Sequence, residues 1–308
     1  MQLPVQTITF RNQPCVELHL PSGDRVLVAL HGGQVLAWQT SDAVERLYLS
    51  PNAVFDGQNA IRGGVPICFP QFSQRKLGEQ LLPKHGFARS LAWSVLDPTR
   101  LQDIDLTHSA SSTRPSVSVA LGLTQASLPR EIQMLWPYKF EAILLVHLEK
   151  NQLRITLSVS NRDHEEWSFA VALHTYLRVS ELAQAYVKGL QGVRYWDAVK
   201  DLKAPETVQQ QRSEDLHFAS ETDRVYQAAP ALIHLLTPTG VLDIEQSATF
   251  TETVVWNPGA ALCAQLTDMP KDGYREMLCV EAACIDHAIN LKPGANWQGS
   301  QILSVGQR

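Results

Sequence analysis

The chain is short of cysteine, of net positive charge and of any long apolar run, and each shortage removes a class of protein. Five cysteines in 308 residues, without paired spacing, do not make a disulfide framework and fit a reducing compartment. Cys279 and Cys284 stand too far apart for a CxxC motif and have no histidine beside them at zinc-ligand spacing, so no metal site is expected. Lys and Arg total 26 against 31 Asp and Glu, giving a formal net charge of −5 and a pI near 6.1. That balance argues against nucleic acid or an anionic membrane as a partner, and an anionic ligand would need a local cluster of basic residues. No segment approaches the roughly 20 apolar residues of a membrane helix. The first residues, Met1 to Gln6, lack the basic and apolar regions of a signal peptide, so a soluble, cytoplasmic protein is expected. A monomer is expected too, though no motif in the sequence decides the oligomeric state. The Gly63-Gly64 pair is followed by neither G-x-G-x-x-G nor a helix, which excludes a dinucleotide fingerprint.

What the sequence does have is apolar residues, 44% of the total, and no break in composition. A single domain over residues 1–308 with a large core is expected. Residues 25–30 and 35–38 flank a His-Gly-Gly-Gln turn, as in a hairpin. From Ser116 onward, strand follows strand: 116–124, 140–148, 153–160, 169–179, with a last one at 296–305. Proline, glycine and Asn-rich turns separate them, and no helical periodicity lasts about 12 residues, so the class is all-β, a large sandwich. The polar stretch 97–115 reads as a surface loop.

Two of these apolar strands carry a titratable group. In Phe169–Val179, alternation puts His174 on one face with Ala172 and Tyr176, opposite Leu173, Thr175 and Leu177. A lone strand histidine is more often a satisfied core residue than a functional one. A second strand, Glu276–Cys284, holds the isolated carboxylate Glu281, and a buried carboxylate needs a partner or a purpose. Together they are what an acid/base enzyme requires. Basic residues gather on two glycine-containing loops. Arg62 precedes Gly63-Gly64, where the lack of side chains would let a ligand approach the backbone. Lys84, His85 and Arg89 surround Gly86. Asp223 and Arg224 stand at the mouth of a strand over 221–226.

Seven motifs in order now carry a resemblance: IRGGVPICFPQF (61–72), LPKHGFAR (82–89), WPYKF (136–140), HTYLRV (174–179), DRVY (223–226), VVWNPG (254–259) and MLCVEAACI (277–285). Together they resemble the aldose 1-epimerase family, in its glucose-6-phosphate 1-epimerase (hexose-6-phosphate mutarotase) branch, over most of the chain. The resemblance implies a galactose-mutarotase-like β-supersandwich with a cleft on one sheet. It implies His174 as general acid, Glu281 as general base, and Arg62, Arg89 and Asp223 as substrate contacts. His85 is similar to a histidine that holds the sugar near its ring oxygen. Lys84 departs from the glutamine often found before that histidine, and would add charge to a phosphate site. The implied activity is anomer interconversion of glucose 6-phosphate, without metal or cofactor. A free-hexose aldose 1-epimerase with structural arginines, and a non-catalytic carbohydrate-binding protein, stay open as alternatives.

Overall fold

The computed structural model describes residues 5–74, 76–77, 80–97, 115–200, 207–228 and 230–306. Most of the 97–115 stretch, read above as a surface loop, lies outside the described residues. Antiparallel strands dominate. A nine-stranded sheet runs through the long strands Ser116–Thr124, Phe140–Glu149, Gln152–Asn161 and Asn296–Val305. An eight-stranded sheet contains Ile67–Cys68, Trp167–Leu173, Met277–Leu291, Glu252–Asn257 and Thr222–Gln227 as consecutive neighbours. A four-stranded sheet, Val5–Phe10 to Gln34–Gln39, includes the expected glycine-turned hairpin. The helices are short, Arg130–Leu135 and Gly259–Cys263, and no described helix is long and apolar enough to cross a membrane.

The two large sheets face each other because their strands alternate. Leu144, Val146 and Leu148 of one sheet share a core with Val171 and Leu173 of the other, and with Leu278, Val280 and Ala282. Burial of such side chains contributes about 1.5–3 kcal/mol each relative to exposure. What matters for function is the other face of the eight-stranded sheet. Its inner register fixes Ala172, Val225, Val254 and Ala283 in a separate small-residue patch on the outer side. The pairings Asp223↔Trp256, Val254↔Glu281, Trp256↔Cys279 and Ala172↔Ala283 place the titratable residues around that patch. Small side chains leave a hollow there, and the charged groups sit in its floor and walls.

The strand expected over 169–179 is in fact two strands, Trp167–Leu173 and Tyr176–Arg178, broken at His174 and Thr175. The backbone N–H of His174 donates to the Pro66 carbonyl at 2.9 Å, and that of Tyr176 to the Gly64 carbonyl at 2.9 Å. The Arg62–Pro70 loop thus takes the place of a ladder neighbour. Thr175 turns inward, donating to Gln301 Oε1 at 2.5 Å, while Gln301 donates to the Val280 carbonyl at 3.0 Å. The alternation of faces survives the break, so His174 still shares its side with Tyr176.

Candidate active site

The site is built on two adjacent strand segments. Glu281 is the fifth residue of Met277–Leu291 and 1% exposed, and His174 follows the Leu173↔Ala282 pair one step along the neighbouring strand segment. His174 Nδ1 is 3.5 Å from Glu281 Oε1, beyond a good hydrogen bond. His174 Nδ1 and both carboxyl oxygens of Glu281 are buried without a hydrogen-bond partner. A protein rarely leaves three such atoms together, because each unsatisfied group costs about 1–3 kcal/mol.

The imidazole is clamped by rings. It stacks on Tyr176, centroids 4.8 Å apart at 12°, and meets the edges of His85 at 5.6 Å and Trp256 at 5.9 Å. Burial drives the Glu281 carboxyl well above the usual carboxylate range, and the charge of Asp223 adds to that while Arg89 opposes it. Burial also drives His174 well below an ordinary imidazole, assisted by the positive charges of Arg89 and Arg62. The pair therefore holds one proton between two groups that burial favours in their neutral forms.

His85 has a left-handed backbone, φ 63°, and its Nδ1 accepts the Ser73 backbone N–H at 3.1 Å. A neutral ring with Nδ1 accepting carries its proton on Nε2. Burial, with the charge of His174 next, holds this imidazole far below its ordinary pKa. His85 is thus a fixed neutral donor from Nε2.

Arg62, Lys84 and Arg89 line one hollow of about 560 Å³, together with Tyr176 and Asp268. Arg62 Nε donates to Asp268 Oδ2 at 3.1 Å and its Nη1 to the Tyr176 hydroxyl at 3.0 Å. Arg89 Nη2 donates to the Lys84 carbonyl at 2.7 Å. Asp223 borders a second hollow of about 350 Å³ with Phe72, Ser73, Trp196 and Asp286. Burial pushes its carboxyl up to about 7, with Lys84 opposing and Glu221 and Asp197 adding to the rise. The charges of Asp223 and Arg89 both reach Glu281, so a residue of each hollow acts on the same buried carboxyl.

All seven residues singled out in the sequence therefore gather here. Two details differ from expectation. The glycines after Arg62 are not there to admit a ligand: both have positive φ, and a side chain on Gly63 or Gly64 would strike the backbone carbonyl of Tyr48 or Val35. They let the loop lie flat on the four-stranded sheet's edge and so aim Arg62. Three neighbours of the couple were not singled out as site residues, namely Tyr176, Trp256 and Asp268. Tyr176 had a signal, since it shares a strand face with His174. Asp268 had none, because it reaches Arg62 from 206 residues away.

An antiparallel supersandwich with a buried imidazole–carboxyl couple on the outer side of one sheet is the mutarotase-like class of β-protein. The chain belongs to the aldose 1-epimerase family, whose sequence profile matches residues 14–304. It is 35% identical over 289 residues to a provisionally named glucose-6-phosphate 1-epimerase of Cenchrus ciliaris, covering 90% of this chain and 80% of that one. It is 35% identical over 265 residues to a protein of the same provisional name in Escherichia coli K12, covering 83% and 78%. A crystal structure of a provisionally named mutarotase from Salmonella typhimurium superposes with a TM-score of 0.83 at 27% identity, covering 99% of this chain and 97% of the other.

Proposed function

We propose that the protein interconverts the α and β anomers of hexose 6-phosphates, glucose 6-phosphate foremost, by acid/base-catalysed ring opening and closure. The observation that carries this reading is the unpartnered His174–Glu281 couple lying beside a hollow lined by three cations. The names of the Cenchrus ciliaris and Escherichia coli relatives support the same substrate.

Opening a hemiacetal needs a proton taken from the anomeric hydroxyl and one given to the ring oxygen. Rotation about the bond to the neighbouring carbon then turns the aldehyde over, and the two transfers run in reverse. Atoms and electrons balance within the sugar, so proton transfer is the whole chemistry. Glu281 as carboxylate takes the first proton and His174 as imidazolium gives the second. The one proton the couple holds suffices for this: it need only reside on His174 rather than on Glu281. A phosphate dianion on Arg62 and Arg89 offsets the two charges that depress His174 and favours that arrangement. His85, donating from Nε2, orients a sugar oxygen, and Asp223 accepts from or donates to ring hydroxyls according to its own proton. Arginine forks suit phosphate oxygens, and Lys84 adds a point charge.

One observation favours a second reading, a free-hexose epimerase. Arg62 already spends two of its N–H groups on Asp268 and Tyr176, as a structural arginine would. The test is polarimetry on freshly dissolved α-glucose 6-phosphate with α-glucose in parallel. Faster decay of rotation for the phosphate supports the proposal; acceleration of glucose alone supports the second reading.

A further inference from the structure

We propose that His174, Cys279 and Glu281 form an inhibitory site for a thiophilic divalent cation, zinc above all, whose occupancy silences the enzyme. The sequence argued against a metal because ligands were sought at short spacings. The fold assembles them across strands instead. Cys279 and Glu281 are two apart on Met277–Leu291 and so project from one face, and His174 enters from the neighbouring segment. One ligand atom from each of the three lies within 4.8 Å of the other two. Tetrahedral zinc bonds of about 2.0–2.3 Å require ligand separations of about 3.3–3.7 Å, which side-chain shifts of roughly 1 Å would reach.

The second observation is the state of those atoms. His174 Nδ1 and both oxygens of Glu281 are buried and unpartnered, so a cation breaks no existing hydrogen bond to bind them. Each group supplies a lone pair, and two protons leave to solvent as the bonds to zinc form, one from the cysteine thiol and the one held by the His174–Glu281 couple. Three protein ligands leave the fourth position of a tetrahedral zinc for a water molecule. The sulfur decides the ion: thiolate with imidazole and carboxylate suits zinc or cadmium, whereas magnesium and calcium prefer oxygen alone. Inhibition follows because two of the three ligands are the acid and base, and this half of the inference rests on the function proposed above. Cys279 has no part in the proton transfers, which makes it the residue to vary.

The test titrates the EDTA-dialysed full chain with cobalt(II), reading absorbance, and with zinc, reading anomer exchange of glucose 6-phosphate in the same preparation. One equivalent of cobalt should give a near-ultraviolet thiolate charge-transfer band that zinc displaces. Cys279→Ala should lose the band and require at least about 100-fold more zinc for inhibition, exceeding the 10- to 100-fold typical of losing an outer partner. Its metal-free exchange rate should stay near wild type, and Cys279→Ser, closer in shape, guards against a folding defect. No band, or unchanged zinc sensitivity in both folded variants, would overturn the site. A stoichiometric band with undiminished exchange would keep the cation but refute the inhibition, and with it the roles of His174 and Glu281. A band in a protein inactive on every hexose would leave the metal site standing and sink the proposed function.

Discussion

Glu281→Gln separates catalysis from folding more cleanly than any other single change. Both carboxyl oxygens are buried without partners, so the amide loses no hydrogen bond that the carboxyl made. Each form buries an unsatisfied polar group at a cost of about 1–3 kcal/mol, and the two costs largely cancel. Glutamine cannot ionise, which also removes the penalty that burial sets on the charged form. Stability should therefore stay within about 1 kcal/mol of wild type, a shift in Tm of no more than about 2–4 °C. Activity should fall far more. A general base contributes roughly 100- to 10,000-fold, equal to about 2.7–5.5 kcal/mol of barrier. The assay is saturation-transfer NMR between the anomeric protons of glucose 6-phosphate, with calorimetry on the same sample. Exchange within tenfold of wild type in a folded Glu281→Gln protein would remove Glu281 from the mechanism. A collapse of Tm would instead make the carboxyl structural.

Arg62→Ala and Arg89→Ala should each lower kcat/KM for glucose 6-phosphate by about 10- to 150-fold, the worth of one charge-assisted hydrogen bond, while barely changing free glucose. Lys84→Gln should cost less, since an ammonium lacks the fork; steady-state kinetics on both sugars checks all three. The Asp223 carboxyl, raised to about 7 by burial, holds its proton longer in the folded chain than in the unfolded one. Its contribution to stability is therefore lost as pH rises from about 4 to about 7. Asp223→Asn should gain on wild type across that window and hold the gain above it, as urea unfolding at pH 5 and pH 8 would reveal; a constant difference would contradict the assignment. Prolonged EDTA treatment should leave exchange unchanged or raise it, and a loss restored by zinc would make the metal a cofactor rather than an inhibitor.

Local pattern carried much of this structure and long-range pairing the rest. Strand alternation read from 169–179 was enough to put His174 on one face with Ala172 and Tyr176, because a two-residue period has only two outcomes. His174 and Glu281 were legible for that reason: each is a titratable group in an apolar run. The break at His174 was not, since it depends on Gly64 and Pro66 offering their carbonyls from more than 100 residues away. The purpose of Gly63-Gly64 was misread because the carbonyls they avoid belong to segments distant in sequence. Lys84 illustrates the limit from the other side. Its ammonium charge acts on Asp223 across the cleft as well as on the cationic hollow, a double influence invisible in the motif LPKHGFAR.

The central claim, that the cleft selects a phosphorylated sugar for anomer exchange at His174 and Glu281, is tested most directly with both sugars in one tube. Glucose and glucose 6-phosphate at equal concentration give separate anomeric proton signals, and two-dimensional exchange NMR reads the α–β cross-peaks of each with and without protein. Cross-peaks should grow for glucose 6-phosphate alone with the wild-type chain, and for neither sugar with His174→Ala. Cross-peaks of equal strength for both sugars, or undiminished ones in the His174→Ala protein, would contradict it.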